Sequence, residues 1–231
     1  MEKSKKILRR LELLHPKKID LSLKRLRRLL AKLNNPHLRL PPTIHVAGTN
    51  GKGSVTSFLR SIYENSRLSV QCYTSPHIIK FNERIRINSK LISNDYLNIL
   101  LEECEFYNKG EEITFFEITT AAAFLAFSRV NSDLLILETG LGGRFDATNI
   151  IEKNLASVVT AIGMDHTDWL PKKLTEWKNQ GTHRNFEILP CLHQAGDQRI
   201  SKAILDYTFK KINKSKMDRP FVALVDHGTP L

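Results

Sequence analysis

Seven consecutive residues constrain this chain more than any others: Gly48-Thr49-Asn50-Gly51-Lys52-Gly53-Ser54. Before them lies a short apolar run, Thr43–Ala47, whose composition predicts a strand. After them a helix is expected from about Ser54 to Asn65. In a strand, tight glycine loop and helix of this kind, backbone N–H groups converge on phosphate oxygens, and the helix N-terminus adds positive potential. Lys52 can reach the β- and γ-phosphates, and Ser54 or a neighbouring hydroxyl can face Mg²⁺. The string departs from the strict phosphate-loop pattern, because Gly53 separates the lysine from the hydroxyl residue. Nucleotide phosphate binding is the expectation; a flexible turn that happens to contain lysine is the plainer alternative.

The surrounding pattern supports an α/β fold. Ser69–Tyr73 reads as a second strand, followed by a long loop over Thr74–Asn88 that ends in the strand-like Arg84-Ile85-Arg86-Ile87. Helices are expected near Asn94–Tyr107 and Phe116–Val130, and β-rich runs at Leu134–Leu137 and Ala156–Ile162. Alternating strands and helices imply a mostly parallel sheet of phosphate-loop type with helices on both faces. Upstream, residues 5–14 and 21–34 look helical. In the second, Leu23, Leu26, Leu30 and Leu33 recur at three- and four-residue steps, and Asn34-Asn35-Pro36 stops the helix. Beyond Pro171 the pattern weakens, leaving an amphipathic stretch at Arg199–Lys214 and a last strand at Phe221–Val225. The expected organisation is a basic helical extension over 1–40, an ATP-binding domain over 41–175 and a divergent segment over 176–231.

Charge narrows the function classes. The net charge of +11 is uneven: residues 1–40 hold 13 basic and 3 acidic side chains, and residues 41–170 hold 11 and 15. A chain with an acidic middle does not suit uniform coating of nucleic acid, and no nucleic-acid partner is expected. The basic stripe over 24–32 reads as a solvated helix face, with attraction of an anionic substrate as the functional alternative. The first ten residues hold no signal-like apolar stretch, and the run around Ala121–Phe127 is too short for a bilayer. Cys72, Cys104 and Cys191 are widely spaced, as reduced thiols would be. A cytoplasmic monomer without a membrane partner is expected.

Other candidate residues sit where strands end, which is where ligands bind in open parallel sheets. Glu138 closes the run Asp133-Leu134-Leu135-Ile136-Leu137-Glu138 and is a reasonable Mg²⁺ ligand; the alternative is a strand-end carboxylate in water. Gly140-Leu141-Gly142-Gly143 follows and permits close backbone approach. Asp165-His166-Thr167-Asp168 follows a further apolar strand, and His166 can ligate a metal or move a proton. Ser75-Pro76-His77 lies just past a strand, in a loop with Glu83 and Arg84 long enough to close over a substrate.

Taken in order, these pieces resemble the folylpolyglutamate synthase/dihydrofolate synthase family, relatives of the Mur ligases. The matching strings are Ile19-Asp20-Leu21-Ser22-Leu23, Gly48–Ser54, Ser75-Pro76-His77 with Glu83-Arg84, and Thr114-Phe115-Phe116-Glu117. To these are added Glu138 through Asn149 and Asp165-His166-Thr167-Asp168-Trp169-Leu170. The resemblance covers about residues 10–175 and implies a fold like the Mur ligase central domain, preceded by N-terminal helices. It implies an ATP-dependent ligase that adds L-glutamate to dihydropteroate or to a folate through an acyl phosphate. Thr49, Asn50, Gly51, Lys52, Gly53 and Ser54 would hold ATP, with Lys52 and His166 catalytic. Ser75, Glu138 and His166 would ligate Mg²⁺. Asp20, Leu21, Ser22, Thr114, Phe145, Asp146 and Ala147 would line the pteroate site.

The sequence also departs from the family pattern. Ser22 replaces a usual Gly, and Pro171 another. The family's Glu-Lys-Ala-Gly string, whose lysine is carbamylated and helps hold a second metal, has no match; Lys178 is off register. Family members are roughly twice this length, with a C-terminal domain contributing to ATP and glutamate binding. A truncated, non-catalytic remnant that binds only nucleotide or pterin is therefore the alternative expectation.

Overall fold

A computed structural model describes residues 2–15, 20, 22–143, 145–160, 187–189 and 221–224, with Glu2 and the last two stretches described by backbone alone. The expected amphipathic stretch at Arg199–Lys214 lies outside the described residues.

Among the described residues eight strands form one sheet in the order β4-β3-β2-β5-β1-β6-β8-β7. Those strands are β1 (Thr43–Ala47), β2 (Val70–Tyr73), β3 (Ile85–Ile87), β4 (Lys90–Leu91), β5 (Leu134–Glu138), β6 (Ala156–Val159), β7 (Glu187–Leu189) and β8 (Phe221–Leu224). From β2 across to β7 every pairing is parallel; β3 and β4 run antiparallel at one edge. The sheet is mostly parallel, as the alternating pattern predicts. The sequence pattern passed over β4, which is only two residues long and exposed.

Among the described residues five α-helices cover the sheet: α1 (Glu2–Glu12), α2 (Lys24–Lys32), α3 (Lys52–Asn65), α4 (Asn94–Asn108) and α5 (Phe115–Arg129). Successive strand residues point to opposite faces, so β2 and β5 each feed two cores. Ile44, Val46, Val70, Cys72, Ile136 and Val158 pack with Val55, Leu59 and Tyr63 of α3. Tyr73, Leu135 and Leu137 face the other way, toward α1, α2, α4 and α5. At the centre of that second layer is α5, in which every residue from Glu117 to Phe127 is buried. A helix apolar on all sides is one buried on all sides, and here α2, α4 and the sheet surround it.

The N-terminal helices are part of this layer. Ile7 and Leu11 of α1 and Leu26, Leu29 and Leu30 of α2 are buried against residues of α4 and α5. Several of their basic side chains meet acids. Arg10 makes two hydrogen bonds to Glu105, Lys3 pairs with Glu102, and Arg28 and Lys32 both pair with Glu111. Part of the positive charge of the N-terminal segment is thus matched by acids from the middle of the chain. Surface pairs of this kind are each worth little, but they orient α1 and α2 on their apolar faces.

Candidate functional site

The parallel strands bring their carboxyl ends to one rim. Val46 of β1 is in register with Glu138 of β5; beyond them Thr139 N–H donates to the Val46 carbonyl and Thr160 N–H to the Ala47 carbonyl. β2 ends level with β5, Tyr73 opposite Leu137. The loop after β1, Glu138, Ser75 and the chain leaving β6 therefore converge on that rim.

The phosphate loop is tightly folded. Gly48 has φ +137°, and a Cβ built there would lie 2.0 Å from Thr160 Oγ1. Only glycine fits that approach. Gly51, at φ 82°, is the N-cap, and Lys52 opens α3, two residues earlier than the helix pattern predicts. No side chain caps α3 and its first turn carries no acid. The first amides are thus left for an anion, which a helix N-terminus favours. Lys52 Nζ folds back onto the loop, donating to the carbonyls of Gly48 at 2.9 Å and Thr49 at 3.1 Å. Asn50, Gly53 and Ser54 are exposed at the same end, and Thr49 and Gly51 partly so.

Glu138 stands beside this loop. A Cβ on Gly53 would lie 3.8 Å from Glu138 Oε1. Ser75 N–H approaches Glu138 Oε2 at 3.4 Å, a long contact that leaves the carboxylate poorly satisfied. Burial pushes the Glu138 carboxyl up to about 7, against the opposing pull of the Ser75 amide and the Lys52 charge. A buried carboxylate short of donors is stabilised by a cation, and an acid with a neighbouring hydroxyl is an oxygen donor set that suits Mg²⁺. Glu138 and Ser75 fit that ion. His166, the third expected ligand, lies outside the described residues, as does Lys178. Among the described residues no group of three or more His, Cys, Asp or Glu gathers to form a metal cage.

Next to the rim opens a cavity of about 400 Å³. Asp20, Ser22, Thr114, Phe145, Asp146 and Ala147 all line it. These are six of the seven residues expected at the acceptor site; the seventh, Leu21, lies outside the described residues. They come from three separate parts of the chain. Ser75 and Arg84 line the same cavity, so Ser75 faces both the cavity and Glu138. A wall is closed by Phe116, whose ring comes so near Gly140 that a Cβ there would lie 2.5 Å away. Asp146 is held firmly: Oδ1 accepts from the amide and hydroxyl of Thr148, and Oδ2 from the amides of Gly140 and Leu141. Burial raises the Asp146 carboxyl, and those donors oppose the shift. His45 lies 2.8 Å behind Thr148 Oγ1 and extends the chain of contacts.

Glu117, in the string Thr114-Phe115-Phe116-Glu117, is among the cavity residues to which the sequence pattern assigns no role. Glu117 lines the cavity, is 4% exposed, and has one oxygen, Oε1, buried without a hydrogen-bond partner. The signal was available as Thr114-x-x-Glu117, a capping box. Thr114 Oγ1 accepts from Glu117 N–H at 3.3 Å and Glu117 Oε2 accepts from Thr114 N–H at 2.8 Å, so the cap of α5 is also a wall of the cavity. Arg25 donates to the same Oε2. Burial alone would lower the Arg25 pKa, but the hydrogen bond and charge of Glu117, with the charge of Asp20, raise it.

Comparison with known proteins agrees with this geometry. No family model matches the chain. A dihydrofolate synthase/folylpolyglutamate synthase of Haemophilus influenzae is 37% identical over 202 residues, which are 87% of this chain and 45% of that protein. Among solved structures, Escherichia coli FolC in complex with DHPP and ADP superposes with a TM-score of 0.75 at 32% identity, covering 94% of this chain and 50% of that one. A bifunctional folylpolyglutamate synthase/dihydrofolate synthase with Mn, AMPPNP and L-glutamate bound gives 0.72 at 29% identity, covering 96% and 51%. The chain spans about half the length of the relatives it matches. By sequence, by fold and by the placing of its motifs around one rim, it is similar to the dihydrofolate synthase/folylpolyglutamate synthases over about half of their length.

Proposed function

We propose that this chain supplies the ATP and acceptor sites of a ligase that adds L-glutamate to dihydropteroate or to a folate. The observation that carries the reading is Ser75. It lines the acceptor cavity and also sets its amide against Glu138, beside the phosphate loop. An acceptor seated in the cavity thus has its far end directed toward the nucleotide's terminal phosphate. Positioning of this kind, with charge stabilisation, is most of what phosphoryl transfer needs.

Each residue has a task in that reaction. The amides of Thr49 to Ser54 cradle the phosphates, and Lys52 releases its two carbonyls to meet the charge that develops on the transferred phosphoryl group. Glu138 and Ser75, joined by His166, would hold Mg²⁺, which supplies positive charge against the phosphoryl oxygens. Asp20, Leu21, Ser22, Thr114, Phe145, Asp146 and Ala147 orient the acceptor; Asp146, saturated by internal donors, does so by fixing the backbone of Gly140 and Leu141. His166 shares the catalytic role with Lys52. The acceptor carboxylate is activated as an acyl phosphate, which the glutamate amine then attacks, releasing phosphate.

In this reading residues 41–175 form the ATP-binding domain, with 1–40 contributing one edge of the acceptor cavity and 176–231 a divergent segment. The protein works as a cytoplasmic monomer on small molecules. Among the described residues no helix is long and apolar enough to cross a membrane. The test is ATP- and Mg²⁺-dependent incorporation of labelled glutamate into dihydropteroate. Incorporation that disappears in Lys52→Met supports the ligase. Nucleotide binding without incorporation would instead establish a non-catalytic binding protein.

A further inference from the structure

A single arginine joins two walls of the acceptor cavity. Arg25, on α2, spends its guanidinium on them: Nε donates to Glu117 Oε2 at 3.0 Å, Nη1 to Asp20 Oδ2 at 3.1 Å and Nη2 to the Asp20 carbonyl at 2.7 Å. Its side chain is 15% exposed and that of Glu117 only 5%. On another side His15 Nε2 lies 3.3 Å from Asp20 Oδ2 and 3.1 Å from Glu112 Oε1. Asp20 and Glu117 both line the cavity; neither Arg25 nor His15 does.

The two oxygens of Glu117 are treated differently. Oε2 takes two donors, Arg25 Nε–H and Thr114 N–H, whereas Oε1 is buried and takes none. A buried carboxylate oxygen without a donor is costly. Such an arrangement persists where a ligand completes it. The asymmetry depends on Arg25, since the Thr114 amide alone leaves the carboxyl group free to turn about its terminal bond. Lysine could not substitute, because one ammonium cannot serve three acceptors in a planar fork.

We propose that Arg25 is a positioning residue for acceptor recognition: it locks Glu117 so that Oε1 is kept for an N–H donor on the acceptor's heteroaromatic headgroup, and it ties Asp20 to the same frame. This rests on the reading of the cavity as the acceptor site. Arg25 touches neither acceptor nor nucleotide and acts through Glu117 and Asp20. It therefore sets affinity for acceptors whose ring system carries N–H donors and leaves nucleotide binding alone.

Binding to the 231-residue chain tests this, with pteroate and the nucleotide analogue AMPPNP as probes in calorimetric titration. Arg25→Met is expected to weaken pteroate at least about 10-fold, the loss of one charge-assisted hydrogen bond, and to leave AMPPNP within about twofold. Arg25→Lys recovers only part of the loss. Adding Glu117→Gln to Arg25→Met costs nothing further, because the arginine acts through that carboxylate. A pteroate analogue whose ring amino group is replaced by hydrogen binds wild type and Arg25→Met alike, which a general loosening of the fold would not produce. Pteroate affinity within twofold of wild type in Arg25→Met, or additive losses in the double variant, overturns the role. If Arg25→Met melts below the titration temperature, Arg25→Lys carries the test, and wild-type affinity there overturns it equally. A wild-type chain that binds AMPPNP but no pteroate overturns the acceptor reading itself, and so is distinguishable from failure of Arg25 alone.

Discussion

At the scale of single residues, this site is built from groups that are unusually sensitive to small changes. Gly48 has no room for a methyl group against Thr160 and a backbone angle that side chains resist. Gly48→Ala should cost about 2–3 kcal/mol from combined overlap and strain, read as a lower melting temperature and loss of AMPPNP binding together. Asp146 faces four donors with two oxygens, and an asparagine would turn an NH₂ toward two of them. Asp146→Asn should destabilise by about 2–3 kcal/mol; a denaturation midpoint unchanged from wild type would contradict the saturated geometry. Lys52→Met removes the one cation of the loop and should weaken AMPPNP about 100-fold, measured by titration. The phosphate-loop residues were legible in the sequence because their chemistry is local, a few residues between a strand and a helix. The cap made by Glu117 is local too, but its pairing with Arg25, 92 positions away in sequence, is not, and no local pattern contains that pair.

Among elements, α5 shows why the coarse layout was readable while its details were not. Its apolar run announces a helix, yet the same run would suit any buried helix. The cap at Thr114 and Glu117 fixes where it starts, one residue before the pattern does, and so places Phe116 against Gly140. The start of α3 at Lys52 was likewise missed because Gly53 is a poor helix former; the loop geometry, not propensity, begins that helix. Strands β1, β2 and β5 were foreseen within a residue, since a doubly covered parallel sheet needs short continuous apolar runs. What the helical patterns of α1 and α2 left open was their docking partner, as α4 and α5 follow much later in the chain. Leu11→Ala, at a position with no exposure, should cost about 2–5 kcal/mol. A melting temperature that hardly moved would mean that α1 is an ornament and not part of the core.

For the molecule as a whole, ligand binding should be visible as stability. A nucleotide that binds only the folded chain adds about 2.7 kcal/mol at one hundred times its dissociation constant. For a chain of this size that is a rise of roughly 5–11 °C in melting temperature, checked by thermal scans with and without Mg²⁺ and AMPPNP. The charge asymmetry also takes on meaning at this scale. Lys3, Arg10, Arg28 and Lys32 meet Glu102, Glu105 and Glu111 across the boundary between the N-terminal helices and the acidic middle. High salt should therefore loosen α1 and α2 slightly and leave the phosphate loop's own fold untouched.

The placing of Ser75 has a thermodynamic consequence. A residue that borders both the acceptor cavity and the acid beside the phosphate loop cannot shift for one ligand without the other sensing it. The two binding equilibria then share a coupling free energy, and linkage makes it reciprocal: whatever factor nucleotide adds to acceptor affinity, acceptor must return to nucleotide. In the proposed reading, that coupling would run through one peptide unit just after β2.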